Sequence, residues 1–170
     1  MKVLATFDGS PLSEATLAVL TRLANAPAAE FIFLAVAHEP GTRLKSTRMR
    51  RTVITGQDYT AAVALGPAAP QYAETKSQAL QRRRGELEDY LLGLAGKLPK
   101  KTKVHVESHI ANKPAKTIID AAKADEVDVI VMATHSRKGI KRVMVGSTVE
   151  EVIRYGVAPA LVVHPTKTKT

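Results

Sequence analysis

The chain has 170 residues, of which 45% are hydrophobic and 24% are charged, a composition typical of a soluble globular domain that excludes disorder over the whole chain. Its length suits one domain, so we expect a single domain over residues 1–170. Charges interrupt every apolar run before the roughly 20 residues of a membrane span, and an acid at position 8 argues against a signal peptide. The sequence has no cysteine, which excludes a disulfide scaffold, thiol catalysis and cysteine-ligated zinc. We therefore expect a cytoplasmic protein without a membrane partner.

The formal net charge of +9 is concentrated in two segments. Residues 41–51 hold five basic side chains and residues 137–142 hold four, with no acid in either segment. In the rest of the chain the numbers of basic and acidic residues are equal. Positive charge that is local in this way indicates a local anionic partner rather than a uniform basic surface.

Strand and helix patterns alternate from the start of the chain. Residues 2–7 form a short apolar run typical of a strand. Leucines at helical spacing over residues 11–26 predict a helix, with Ser10 as its N-cap and Pro11 at its first position. The continuous apolar run over residues 31–37 predicts a second strand that is covered on both faces.

Residues 38–70 predict a long loop, because they contain several glycines and prolines together with the first basic cluster. Three roles for the cluster at 41–51 stay open: a solvated tether, a lid over a bound polyphosphate, or a contact with nucleic acid. In the second case Arg48, Arg50 or Arg51 would contribute charge. The third is disfavoured, because no aromatic residue interleaves these arginines to stack on bases.

The alternation continues in the second half of the chain. Residues 71–97 predict a charged amphipathic helix, and residues 104–110 alternate apolar with polar side chains, which is typical of a strand near a sheet edge. A helix opened by Lys113 and Pro114, an apolar strand, a second helix and a last strand follow at 113–124, 128–134, 146–156 and 158–163. The tail at 166–170 is expected to fray. Five alternations of strand and helix predict an α/β fold with a doubly wound, open, five-stranded parallel sheet.

Ligands of an open parallel sheet bind beyond the carboxyl ends of its strands, where the strand order reverses. The most apolar strands, centred on residues 4, 34 and 131, are expected at the centre of the sheet. If the first strand neighbours the fourth, the loop at residues 8–10 faces the loop at residues 134–147. The sequence therefore predicts a site between these two loops.

The loop at 134–147 has residues suited to polyphosphate. Gly146 permits close backbone approach, and Ser147 and Thr148 offer hydroxyls at a helix N-terminus, where anions are favoured. Positive charge would come from Arg137, Lys138, Lys141 and Arg142. The same residues are compatible with an ordinary helix cap beside a solvated turn. Neither a Walker A motif nor a GxGxxG motif after the first strand is present.

The sequence resembles the universal stress protein family over nearly its whole length. The resemblance is carried by Phe7-Asp8-Gly9-Ser10, by Val36 at a strand end, by the block MATHSRKGIKRVMVGSTVEEV at 132–152 and by APALVV at 158–163. It implies a Rossmann-like fold of the adenine nucleotide alpha-hydrolase type, with strand order 3-2-1-4-5. It also implies a stress-response or regulatory role that is read by a protein partner not yet known.

The resemblance further implies which residues bind ATP or a related adenine nucleotide. Asp8 and Val36 match positions that contact adenine and ribose, and Met132 and Ala133 line the same crevice. The phosphate cradle of the family matches Ser136, Gly146, Ser147 and Thr148. Arg137, Lys138 and Arg142 would supply positive charge to the phosphates, and Mg²⁺ would accompany the nucleotide.

Two departures from the family signature keep an alternative open. Ala133 and Ser136 stand where the nucleotide-binding signature has glycines, whereas the nine-residue spacer and the following Gly146-Ser147 are kept. A methyl group at 133 matters if that position needs a positive φ, and a positive φ at Ser136 would cost about 1 kcal/mol. The alternative is a nucleotide-independent homodimeric interaction module, from the branch of the family that does not bind ATP.

Three further expectations concern assembly, metals and catalysis. Family members commonly dimerise through the last strand, so we expect a homodimer formed by Ala158–Val163. His105 and His109 lie four residues apart on a strand, roughly 13 Å, which is too far to chelate one metal ion. Asp8 is the acid placed near the site and the family assigns it to adenine. No dedicated general base is therefore evident, and we expect slow or absent hydrolysis of ATP.

Overall fold

A computed structural model describes residues 1–39, 75–134 and 146–164 of the chain. Within these residues, five strands form one parallel sheet in the order β3-β2-β1-β4-β5. The strands are β1 (Lys2–Phe7), β2 (Glu30–Ala37), β3 (Lys103–Ile110), β4 (Val129–Ala133) and β5 (Ala160–Val163). The helices are a short 3₁₀ turn (Ser13–Ala15), α1 (Thr16–Leu23), α2 (Lys76–Ala95), α3 (Pro114–Ala124) and α4 (Ser147–Tyr155). The predicted fold class and strand order are confirmed.

The order of the strands reverses at β1, which pairs with β2 on one side and with β4 on the other. In the register of the sheet, Leu4 lies opposite Ile32 of β2 and Ile130 of β4. The chain therefore leaves β1 and β4 at the same edge of the sheet, side by side. This adjacency, on which the predicted site depends, is confirmed.

Helices cover both faces of the sheet because successive side chains of a strand point to opposite faces. In β1, Val3 and Phe7 belong to a core that includes Leu20 of α1 and Leu91 of α2. Leu4, between them, belongs to the opposite core, which is formed with residues of α3 and α4. Two layers of helices thus enclose the central strands, as the apolar runs predict.

The first helix begins later than its leucine pattern predicts. The backbone N–H of Ser13 donates to the Ser10 hydroxyl at 3.2 Å and to the Ser10 carbonyl at 3.1 Å, so Ser10 binds the turn that precedes the helix. The N-cap is Leu12, however, so the predicted N-cap at Ser10 and first helical position at Pro11 were wrong. That turn is of the 3₁₀ type, and the α-helix covers only Thr16–Leu23. The predicted bounds of 11–26 were wrong at both ends.

The second helix also starts later than predicted, because a capping box precedes it. Thr75 has an extended backbone, its hydroxyl accepts from the Gln78 N–H, and the Gln78 side chain accepts from the Thr75 N–H. This arrangement satisfies backbone donors that a helix start leaves open, and it places the first helical residue at Lys76 rather than 71. The signal T-x-x-Q is present in the sequence and sets the boundary.

The two outer strands differ from the central ones in burial. In β3, Val104 and Val106 are half-buried whereas His105 and His109 are exposed, which confirms the edge strand predicted from the alternation. At the other edge, Leu161 of β5 is 41% exposed. Most of the predicted loop at 38–70 and the tail at 166–170 lie outside the described residues.

Candidate functional site

A cavity of about 610 Å³ opens at the carboxyl ends of β1, β2 and β4. This volume lies within the range of small-molecule and cofactor sites. Its floor is largely apolar, with Leu34 and Ile118 among the lining side chains, and its rim is polar. Three segments supply that rim: the loop after β1, the start of α4, and a wall formed by the end of β2 together with α2.

The loop after β1 is a tight turn that fixes the carboxylate of Asp8. Asp8 Oδ1 accepts a hydrogen bond from the backbone N–H of Ser10 at 2.9 Å, a bond that aspartate commonly makes two residues ahead. Gly9 between them has φ of 80°, a conformation that glycine adopts without steric cost. Ser13, which is buried, donates its hydroxyl to the Ser10 carbonyl at 2.8 Å and also lines the cavity. The sequence D-G-S therefore holds a negative charge at the cavity rim.

The start of α4 presents backbone N–H groups to the cavity. Gly146 is the N-cap, with φ of −57° and ψ of 149°, and no side chain of the described residues caps the helix. The first N–H groups of a helix have no partner within it, and the helix dipole favours negative charge there. A Cβ built on Gly146 would meet no atom of residues 1–39, 75–134 or 146–164 within 4 Å. Gly146, Ser147 and Thr148, which all line the cavity, form what we call the α4 start.

A third group of lining residues lies on the β2 side of β1, opposite the α4 start, and we call it the β2 wall. It consists of Val36, Ala37 and His38 at the end of β2, and of Arg83 from α2. Val36 was expected from the sequence, whereas Arg83 and His38 were missed. The signal for Arg83 lies in the leucine stripe of α2, because Arg83 is three residues after Leu80 and four before Leu87. Arg83 stands at the exposed end of this stripe, where an arginine indicates a function other than core packing.

Two ionisable groups near the β2 wall have shifted pKa values. Hydrogen bonds from Arg82 and Arg83 hold the pKa of the Glu86 carboxyl below its ordinary value. Burial raises the pKa of the Tyr90 hydroxyl, and the negative charges of Glu14 and Asp8 raise it further. Glu86 is therefore charged and Tyr90 neutral throughout the physiological pH range.

Comparison with known proteins identifies the fold and the family. The model of the universal stress protein family matches residues 1–164. The chain belongs to the universal stress protein family. A universal stress protein of Methanocaldococcus jannaschii is 37% identical over 65 residues, which is 38% of this chain and 38% of the relative's length.

Solved structures share the universal stress protein fold over nearly the whole chain. A hypothetical protein whose biochemical function was assigned from its structure has a TM-score of 0.68 at 21% identity, covering 98% of this chain and 97% of its own. A universal stress protein in complex with cAMP has a TM-score of 0.59 at 14% identity, covering 96% of each chain. A universal stress protein of Archaeoglobus fulgidus in complex with dAMP has a TM-score of 0.53 at 13% identity, covering 95% of this chain and 94% of its own.

Of the site residues that the family resemblance implies, all those within the described ranges line one cavity. The cavity is lined by Asp8, Val36, Met132, Ala133, Gly146, Ser147 and Thr148. Several predicted residues lie outside the described part of the chain: Ser136, and the basic side chains expected to face the phosphates, Arg137, Lys138 and Arg142. The basic cluster at 41–51 lies outside it too. The nucleotide-binding roles of all these residues stay predictions.

The conformation of Ala133 removes one of the two concerns raised by the departures from the universal stress protein signature. Ala133 lies in β4, and among the described residues the non-glycine positions with positive φ are Ala28 and Glu126. Alanine is therefore unstrained at position 133. The departure from glycine reduces to one methyl group at the cavity wall.

In residues 1–39, 75–134 and 146–164, no three His, Cys, Asp or Glu side chains are close enough to hold one metal ion. No helix in these same ranges is long and apolar enough to cross a membrane.

Proposed function

We propose that this chain binds ATP or a related adenine nucleotide in the crevice between β1 and β4, as a stress-response or regulatory module. The observation that carries the proposal is the shared cavity. The carboxylate of Asp8 and the backbone donors of the α4 start, distant in sequence, line the same 610 Å³ space. These are the two chemical features that the family resemblance assigns to the base and to the phosphates.

The polarity of the cavity favours one orientation of the nucleotide. The α4 start has the backbone N–H groups of a first helical turn and the positive end of a helix dipole, so it suits the phosphates. The β2 wall adds apolar surface from Val36 and Ala37 beside Leu34 of the floor, so this side of the cavity suits the base. The cAMP and dAMP complexes of universal stress proteins with the same fold give further support for an adenine nucleotide.

The proposal includes Mg²⁺ brought by the phosphates, with little or no turnover. Hydrolysis needs a positioned base for the attacking water. Asp8 lies at the rim, but its Oδ1 already accepts a hydrogen bond from the Ser10 N–H, and the family resemblance assigns this carboxylate to the base of the nucleotide. We also place the protein in the cytoplasm, the compartment in which its proposed ligand is abundant.

Isothermal titration calorimetry of the purified chain with ATP, ADP, AMP and adenosine, each with and without Mg²⁺, tests the proposal. We expect binding of all four, with affinity rising from adenosine to ATP because the phosphates reach the α4 start. No heat of binding at millimolar nucleotide would refute it. Mass spectrometry of small molecules released from freshly purified, denatured protein is an independent check, and we expect an adenine nucleotide.

A nucleotide-independent homodimeric module is the second candidate, and the outer strand β5 favours it. Leu161 is 41% exposed and Ile153 of α4 is 47% exposed. An apolar sheet edge invites pairing with another chain, so a second copy joined through Ala158–Val163 would cover it.

Sedimentation velocity of the wild type and of Leu161→Lys tests this homodimer, and we expect the substitution to convert dimer to monomer. A wild type that sediments as a monomer would refute the dimer. Dimerisation without nucleotide binding in the calorimetry would favour this candidate over the first.

A further inference from the structure

Arg83 lines the crevice, although the family resemblance assigns it no role. Its side chain is 45% exposed, so it stands at the rim of the cavity rather than on the floor. It belongs to α2, whereas the predicted site residues belong to the loops and strand ends of the sheet and to the α4 start. Its position depends on how α2 crosses the sheet.

The position of Arg83 follows from the topology of α2. A helix that connects two parallel strands begins at the carboxyl end of the first strand and runs back along the sheet. The first turns of α2 are therefore at the same edge as the cavity, and its later turns pack Leu87, Leu91 and Leu94 against the core. Because Arg83 shares one side of α2 with these leucines and lies in an early turn, its side chain reaches the rim of the cavity while remaining exposed to solvent.

An ion pair holds the guanidinium of Arg83 in place. Its Nη1 lies 3.1 Å from Oε2 of Glu86, one turn along the helix, and Glu86 is also bonded by Arg82. Because the pair is exposed to solvent, it adds little to stability. Its effect is to restrict the side chain while leaving the flat faces of the guanidinium for another contact.

Given the nucleotide binding proposed above, on which this inference rests, we propose that Arg83 contacts the base of the nucleotide, with its guanidinium against a face of the ring. α2 packs on β2 and β3, whereas α4 packs on α3 and β5. The strands β2 and β4 are two spacings apart, about 10 Å, so the α4 start and Arg83 are on opposite sides of the crevice. A ligand with its phosphates at the α4 start therefore extends its base toward Arg83. A guanidinium is planar and weakly hydrated, and it stacks well on aromatic rings.

The test measures how the affinity lost in Arg83→Ala depends on the number of phosphates. Calorimetric dissociation constants for adenosine, AMP and ATP are compared for the wild type, Arg83→Ala, Arg83→Lys and Arg84→Ala. Arg84, an exposed neighbour on the same helix, is the matched control for the loss of one positive charge. For a base contact, we expect Arg83→Ala to weaken all three ligands by the same factor, about tenfold. Arg83→Lys should restore little of this, because an ammonium has no flat face.

Each other outcome has a definite meaning. A loss that grows from adenosine to ATP, and that lysine restores, would place Arg83 at the phosphates and overturn the inference. Equal affinities of Arg83→Ala and Arg84→Ala would overturn it too, since no contact specific to Arg83 would remain. If the wild type binds none of the three ligands, the proposed function itself fails, and this result is distinct from a failure at Arg83.

Discussion

Replacing Gly146 by valine separates a role in ligand binding from a role in folding. The backbone at Gly146 has φ of −57° and ψ of 149°, which any L-residue adopts without strain. A Cβ there would meet no atom of the described part of the chain within 4 Å. The described structure thus gives no packing reason for glycine at this position, whereas close approach of a phosphate to the α4 start would give one.

The expected magnitudes follow from these two facts. Losing glycine as an N-cap in favour of an apolar residue costs less than about 1 kcal/mol of unfolding free energy. The isopropyl group, in contrast, would occupy space that a phosphate needs to reach the first backbone N–H groups. Each hydrogen bond to a charged group contributes about 1.5–3 kcal/mol, so loss of one lowers the affinity for ATP by at least about tenfold.

The assay pairs urea unfolding with calorimetry for Gly146→Ala and Gly146→Val. We expect near wild-type unfolding free energies, with ATP affinity falling in the order of side-chain size and adenosine affinity changing less. The matched control is Gly93→Ala, where an added Cβ on α2 also meets no atom within 4 Å. That control should stabilise the helix by about 0.5–1 kcal/mol and leave binding unchanged. Wild-type affinity for ATP in Gly146→Val would refute phosphate binding at the α4 start.

Three further predictions concern the loop after β1, the α2 face and the core. Gly9→Ala should lower the unfolding free energy by about 1–2 kcal/mol in urea titrations, because alanine is strained at a φ of 80°; an unchanged value would contradict this. Leu91→Ala should lower it by about 2–5 kcal/mol, because Leu91 is fully buried between α2 and the sheet, and a loss under 1 kcal/mol would argue against that packing. The raised pKa of Tyr90 favours the folded state fully below the ordinary tyrosine value of about 10, and this contribution is lost as the pH rises through the folded-state pKa. Unfolding free energies between pH 8 and 11 should therefore fall less steeply in Tyr90→Phe, and an identical slope would show that Tyr90 does not titrate as proposed.

The excess positive charge of the sequence lies in two segments. Both segments that carry the excess, 41–51 and 137–142, lie outside the described residues. Arg83 adds positive charge to the described part of the crevice, on the side opposite the α4 start. The interpretation of the excess charge as part of an anion site stays a prediction for those segments.

The sequence by itself determined the parallel sheet and its central strands. The alternation of strands with helices calls for a parallel sheet, and continuous apolar runs are typical of its doubly covered strands. The runs at β1, β2 and β4 do lie at the centre of the sheet. It determined the positions of the helix starts less well, because hydrophobic periodicity extends beyond the residues that hydrogen bonding makes helical. The capping box at Thr75 and the 3₁₀ turn before Thr16 set those limits locally.

Only the tertiary structure decided which side chains share the crevice. Asp8 and Gly146 are 138 positions apart in the chain, and the pairing of β1 with β4 brings their loops to one cavity. Periodicity places Arg83 on the same side of α2 as Leu87, but it does not show that this turn of α2 lies at the level of the strand ends. That level depends on how a long helix is placed on shorter strands. The unstrained backbone at Ala133 was equally beyond the sequence, since φ at that position depends on whether β4 extends that far. Turns and helix caps depend on residues that are neighbours in the chain, whereas the composition of a site depends on contacts between residues that are far apart in the chain.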